Sequence, residues 1–266
     1  MKNSMKTSKN KSDLILKKFA IEAALKAGTV LLKYFRKQFE VMEKPGAGLV
    51  TLADITAERV AVAHLLKASS EMGFVTEEKT IAESAQKPGR WILDPLDGTT
   101  NFVHGFPMFC VSIGAEWEGK MRVGVIYHPI LKELYVAVRG KGATVNGKPM
   151  RTSTQSKLAN TLLTTGFAYQ KDRLTREIKA FSKLSTHVRG VRRPGSAALD
   201  LAYTARGVFD GYWERNLNPW DIAAGALLVQ EAGGKVTDFE GHPFNVLHRD
   251  IVAANPKLHQ ELLRQI

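Results

Sequence analysis

The chain has a single cysteine, Cys110, in 266 residues. That excludes an internal disulfide framework and a zinc site built from several thiolates. No apolar run approaches the ~20 residues that a membrane-spanning helix requires. The opening stretch, MKNSMKTSKNKSDLILKKFAIEAALKAG, is basic, but Lys17 and Lys18 interrupt the apolar core that a signal peptide needs. These absences predict a cytoplasmic protein without a membrane anchor. No internal repeat is present, and no low-complexity segment lies beyond the first residues.

Negative charge is also in the minority. Thirty-eight Lys and Arg face 26 Asp and Glu, a formal net charge of +12. Residues 1–18 hold six lysines against Asp13, so +5 of that total sits at one end. A segment so polar has nothing to dock on a core, which predicts a disordered basic tail over residues 1–11 and one domain over 12–266. The remaining +7 suits anionic substrates or a weak polyanion surface, and charge alone does not separate the two.

Periodicity predicts a helix from Ser12 or Asp13 to about Phe39, a break at EKPGAG, and a second helix from Asp54 or Thr56 to about Ser70. FVTEE and WILDP read as strands that close on carboxylates. From Phe109 to Met150 the pattern is β, with an Asn-Gly turn. The second half reads as strand TLLTTGF, a helix from about Asp172 to Ser185, helix GSAALDLAYTARG and strand VFDGYWE. Helix WDIAAGALLVQEAGG, strands KVTDF and IVAAN, and a last helix from Pro256 complete it. Strands and helices mix without a strict βαβ alternation, so the fold class is α+β with layered packing.

The acids at element ends are the chemical signal. Glu77 and Glu78 follow one strand, Asp94 and Asp97 follow another, and Asp54 and Asp221 open helices. Taken singly, Asp54 and Asp221 are better explained as helix caps than as chemistry. Together the set offers oxygen ligands only, which select Mg²⁺ or a similarly hard ion. Gly98, Thr99 and Thr100 read as a helix start whose free N–H groups favour phosphate. The combination points to phosphoryl transfer, in which paired cations clamp the attacking and leaving oxygens. His104 and His128 have no partner at interpretable spacing and are read as structural.

The run WILDPLDGTTNFVHGFP, with WDIAAGALLVQEAGG about 120 residues later, closely resembles the inositol monophosphatase family, and RRPGSAALDLAY resembles its bacterial members. The resemblance extends from the first helix to the last and implies α-β-α-β-α layers of the type shared with fructose-1,6-bisphosphatase, commonly assembled as homodimers. It implies a Mg²⁺-dependent, Li⁺-sensitive phosphatase with two or three ions. Glu77, Asp94 and the Leu96 carbonyl would bind the first ion, which activates the water. Asp94, Asp97 and Asp221 would bind the second, with Glu77 touching a weaker third. Thr99, supported by Asp54, would orient the water, and the Gly98 and Thr99 amides would hold the phosphate. Arg192, Gly195, Ser196, Ala197 and Glu214 would contact the alcohol, and Lys44 lies where the family places a lysine near the metal loop. Lys79 departs from the usual serine beside the first metal. The implied substrate is inositol-1-phosphate. Fructose bisphosphate, histidinol phosphate, NADP and 3′-phosphoadenosine 5′-phosphate are alternatives within the superfamily, and an RNA or transcription-complex role, as in some bacterial relatives, is one from another class.

Overall fold

The computed structural model of the chain describes residues 2–38, 41–44, 48–79, 81, 87–167 and 174–266, without the side chains of residues 2–11 and Lys44. Helix α1 (Lys2–Tyr34) buries Leu16, Ala20, Ala23, Ala27 and Leu31, the three-to-four spacing of one helix face. It starts before the expected Ser12 or Asp13. Residues 2–11, expected as a disordered tail, are helical backbone, and no glycine or proline stands among them to stop a helix. At the other end it stops at Tyr34, short of the expected Phe39. Where a plain break was expected, β1 (Val41–Lys44) and β2 (Gly48–Thr51) pair antiparallel. Helix α2 (Leu52–Leu65) follows directly, capped by Thr51, with Asp54 inside its first turn.

Strands β3 (Met72–Thr76), β4 (Gly89–Asp97), β5 (Cys110–Trp117), β6 (Lys120–His128), β7 (Glu133–Val138), β8 (Ala143–Val145) and β9 (Lys148–Pro149) form a sheet in that order. The short α3 (Thr99–Val103) interrupts it after β4. The chain continues with β10 (Leu162–Thr165), α4 (Leu174–Ser185), β11 (Gly190–Arg192), α5 (Ala197–Ala205) and β12 (Gly211–Glu214). It ends with α6 (Pro219–Glu231), β13 (Lys235–Thr237), β14 (Ile251–Ala254) and α7 (Pro256–Leu263). The second sheet has the order β11-β10-β12-β14-β13, with β10 parallel to both its neighbours.

Alternation along the strands builds the layers, because successive side chains point to opposite faces. Trp91, Leu93, Val111, Ile113, Val123 and Val125 pack with α1 and α2. Ile92, Ile126, Tyr135 and Ala137 face the other way and join α5 and α6 in the central core. From the second sheet, Tyr212, Ile251 and Ala253 enter that same core. Trp213, Val252 and Ala254 turn outward to meet Leu184 of α4 and Leu258 and Leu262 of α7. The result is five layers, α-β-α-β-α, with α5 and α6 sandwiched between the sheets. A Cβ on Gly124 would come within 2.6 Å of the Ala224 carbonyl, so only glycine lets α6 lie this close to β6.

Candidate active site

The layered packing brings the ends of β3 and β4 to the first turns of α5 and α6 around one cavity of ≈ 580 Å³. Between Asp94, paired with Ser112, and Asp97, paired with Cys110, β4 carries one residue more than β5. In a regular strand, residues three apart face opposite sides. The extra residue turns Asp97 toward the side that Asp94 faces. Pro95 sits inside this irregularity, where a missing N–H breaks no ladder bond. Gly98 then takes φ +99°, and a Cβ there would meet the Met108 carbonyl at 2.8 Å, so the turn requires glycine.

The three aspartates are each held by their own donors. Asp94 Oδ1 accepts from the Leu96 amide at 2.9 Å. Asp97 Oδ2 accepts from Ser196 Oγ at 2.6 Å and the Ala198 amide at 2.7 Å, both at the start of α5. Asp221 Oδ2 accepts from the Asn218 amide at 2.7 Å, completing the capping box of α6. Glu77 is placed by its amide, which donates to Leu93 O at 3.2 Å. Buried Glu58 steadies the same loop by accepting from Thr76 Oγ1 at 3.1 Å and the Glu78 amide at 2.8 Å. In Asp221 capping and placement at the cavity coincide, whereas Asp54 caps α2 and meets the cavity only through Thr99.

The electrostatics show how crowded the acids are. Desolvation and then the charges of Glu77, Asp97 and Asp221 push Asp94 well above the usual carboxylate range. Asp221 is pushed up likewise, by desolvation and then by Asp97 and Glu77. Asp97 rises to about 6 from desolvation, opposed by its bonds from Ser196 and the start of α5. The charges that raise Asp94 and Asp221 are all carboxylates. An all-oxygen set whose members repel one another fits a hard divalent cation. Among the described residues, a tighter ring with ligand atoms within 4.8 Å of one another is formed by Asp238, Glu240 and His242, outside this cavity. The cavity acids share a space without closing to that distance.

Thr99 Oγ1 lies 3.1 Å from both Asp54 Oδ1 and the Leu96 carbonyl. Asp54 Oδ2 accepts from the Thr51 amide and hydroxyl at 2.8 and 2.6 Å. Burial raises its pKa against those bonds. At the opposite wall, Glu214 Oε2 accepts from Tyr212 OH at 2.7 Å, and desolvation lifts Glu214 to about 7.

Of the residues expected to contact the alcohol, Gly195, Ser196, Ala197 and Glu214 line the cavity and Arg192 does not. Arg192 ends the exposed edge strand β11, with its guanidinium on the Val191 carbonyl at 3.2 Å. Its neighbour Arg193, on the turn into α5, reaches the cavity and lies over Phe167, 5.5 Å from the ring centroid. The Lys44 side chain lies outside the described residues. Sequence reasoning missed Gly166, Tyr212 and Asp200. A Cβ on Gly166 would stand 2.0 Å from Glu214 Oε2. Asp200 is buried, accepts from Thr164 Oγ1 at 2.8 Å and lines the same wall. Tyr212 was findable, standing two residues before Glu214 and so on the same strand face.

The comparisons with known proteins agree with this fold. A model of the inositol monophosphatase family matches residues 15–266. The inositol-1-monophosphatase of Synechocystis sp. is 42% identical over 91% of this chain and 85% of its own length. The Nus factor SuhB of Escherichia coli is 42% identical over 92% of each chain. The crystal structure of extragenic suppressor protein suhB from Bartonella henselae superposes with a TM-score of 0.89 at 40% identity, covering 94% of this chain and 97% of that one. The chain belongs to the inositol monophosphatase family and is a metal-dependent phosphatase with that family's layered fold.

Proposed function

We propose that the chain hydrolyses the phosphate monoester of a polyol, with inositol-1-phosphate as substrate, and that it requires Mg²⁺. The carrying observation is the convergence of Glu77, Asp94, Asp97 and Asp221 on one cavity whose opposite wall presents Glu214. Two or three Mg²⁺ would be held by Glu77, Asp94, the Leu96 carbonyl, Asp97 and Asp221. When bound, such cations polarise the phosphoryl oxygens and lower the pKa of water.

The chain's own groups supply the orientation. With its proton donated to Asp54 or the Leu96 carbonyl, Thr99 Oγ1 offers its lone pairs to a water and aims it. The Gly98 and Thr99 amides, at the turn after β4, face the position of the phosphate. Glu214 accepts hydrogen bonds from vicinal hydroxyls of the alcohol, fixed for this by Tyr212. The name of the Escherichia coli relative supports a second reading, a transcription-linked role for the basic surface. A homodimer and a cytoplasmic location belong to the same proposal. Among the described residues, no helix is long and apolar enough to cross a membrane.

A panel of phosphorylated polyols and nucleotides, with released phosphate as readout, tests the reading. Turnover should be greatest on inositol-1-phosphate, vanish with EDTA and return with Mg²⁺. Preference for a nucleotide or a bisphosphate would overturn the substrate, and turnover in EDTA would overturn the cation.

A further inference from the structure

The loop from Arg215 to Asn218 joins two residues of the active-site cavity, Glu214 at the end of β12 and Asp221 in the first turn of α6. It runs beside Arg249 and Asp250, which lead into β14, the strand paired with β12. Asp250 accepts from Arg215 Nη1 at 3.0 Å and from the Asn216 amide at 3.1 Å. The Leu217 amide donates to the Arg249 carbonyl at 2.7 Å. The Arg249 guanidinium then reaches back, donating through Nη2 to the Asn216 carbonyl at 3.2 Å and through Nε to the Leu217 carbonyl at 3.1 Å. One edge of a rigid fork thus grips two successive carbonyls, a geometry that a single ammonium does not match. The grip has strained backbone to hold, since Asn216 stands at φ +62°, in the left-handed region that favours glycine.

The second of those carbonyls matters for the site. The Leu217 C=O and the Asn218 N–H belong to one planar, trans peptide unit, so they point in opposite directions. The carbonyl end is held by Arg249, and the N–H end donates to Asp221 Oδ2 at 2.7 Å. Arg249 therefore sets the tilt of that plane, and with it the direction from which the N–H meets the carboxylate. A cation on the carbonyl also polarises the unit and strengthens the donor at its far end. Arg249 lines the cavity but is itself exposed, so core packing does not account for its grip on the loop.

We infer that Arg249 is a positioning residue for Asp221, acting on its carboxylate through the Leu217–Asn218 peptide. This role rests on the reading of Asp221 as a cation ligand and stands whether or not inositol-1-phosphate is the substrate. Its sign is opposite to that of the arginine's charge. A cation beside the cavity repels Mg²⁺, so through charge alone the loss of Arg249 would tighten the ion's binding. Through positioning, the same loss weakens it.

The test reads binding instead of turnover. Mn²⁺, a hard ion suited to the same oxygen ligands, is titrated into the full chain while the free ion is counted by paramagnetic resonance, and Mg²⁺ then competes for the sites. Asp221→Asn marks the step of the isotherm that belongs to Asp221. Arg249→Ala should weaken that step about tenfold, as expected when a group that orients a metal ligand is lost, and leave the other steps in place. Arg249→Gln, neutral but still able to donate to one carbonyl, should recover part of the loss. Added to Asp221→Asn, Arg249→Ala should weaken binding no further, because its route to the ion is already gone. The role is overturned if Arg249→Ala binds the ions as the parent does, or more tightly. It is equally overturned if the two losses add, which would make Arg249 a general prop of the loop. If Asp221→Asn itself binds like the parent, the reading of Asp221 as a ligand fails and the role falls with it. Metal-free Tm should stay near that of the parent, since Arg249 is exposed. Should the alanine variant fold poorly, Arg249→Gln decides by the same sign: weaker binding supports positioning, and equal or tighter binding overturns it.

Discussion

Ser196 Oγ lies 2.6 Å from Asp97 Oδ2, and the same oxygen accepts from the Leu199 amide at 3.4 Å. One hydroxyl thus starts α5 and orients a carboxylate 99 residues away in the chain. Its proton goes to Asp97, so Ser196 serves the acid more than the alcohol. Ser196→Ala should cost about 1–2 kcal/mol of stability, the worth of a lost cap with a buried acceptor. Phosphate release should fall with it, because Asp97 keeps only the Ala198 amide as a strong donor. Denaturant unfolding and a phosphate assay on the same preparation check both parts.

Asp97→Asn should leave a folded chain with almost no phosphatase activity. The amide keeps the volume and can still accept from Ser196 and Ala198, but it carries no charge for a cation. Removing one of several mutually repelling acids should also make the metal-free variant melt higher than the parent at about pH 8. Near-normal turnover with an unchanged Mg²⁺ requirement would sink the metal assignment.

Stability without metal should fall as pH rises. Asp97 stands at about 6 against an ordinary 3.8, and Glu214 at about 7 against 4.5. Both folded-state values are raised, so the folded chain holds more protons than the unfolded one between those limits. Their contribution is fully present below the ordinary values and is lost as pH climbs through about 6 to 7. In EDTA, Tm should therefore drop between about pH 5 and about pH 8, and Mg²⁺ should raise it more at the higher pH. An equal Mg²⁺ shift at both values, followed by calorimetry, would contradict this account.

The acids that line the cavity were legible because they sit in compact motifs. DPLDGTT gave the acids, the turn and the threonine together, and the layered class followed from strand and helix order. What escaped depends on register and on close approach. Arg192 and Arg193 are adjacent, and which one reaches the cavity depends on where the three-residue strand β11 ends, which composition does not encode. Gly166 looks like any glycine after a strand until Glu214 is folded against it. Residues 2–11 lack an apolar face, which suggested disorder, yet helical backbone needs no apolar face when a packed helix continues beyond it.

That continuation begins at Asp13, whose carboxylate is paired with Arg122 of β6 through Nε at 2.9 Å and through Nη2. Deleting residues 2–11 should leave turnover and Tm unaltered, since this pair and buried Leu16 still anchor α1. Asp13→Ala should lower stability by roughly 1–3 kcal/mol, because Arg122 then loses its partner in a largely buried setting. A collapse of kcat on the deletion would show instead that the first residues reach the active site.

Glu214 is predicted to select the alcohol without performing the chemistry, and Gly166 supplies a way to test this without touching the acid. The Glu214 carboxylate rests against the α-carbon of Gly166, where a methyl group would stand 2.0–2.2 Å from its atoms. Gly166→Ala must therefore displace Glu214 while leaving Asp94, Asp97 and Asp221 in place. The displaced acid no longer meets the vicinal hydroxyls, and a site built for such bonds penalises their loss. On inositol-1-phosphate, both Gly166→Ala and Glu214→Ala should lose about 1–3 kcal/mol in kcat/KM, expressed mainly in KM. On p-nitrophenyl phosphate, which offers no hydroxyls, both variants should turn over much as the parent does. Equal losses on the two substrates would place Glu214 with the metal ligands. No loss on either would make it a bystander held by Tyr212, and matched stability of the variants would separate that outcome from a folding defect.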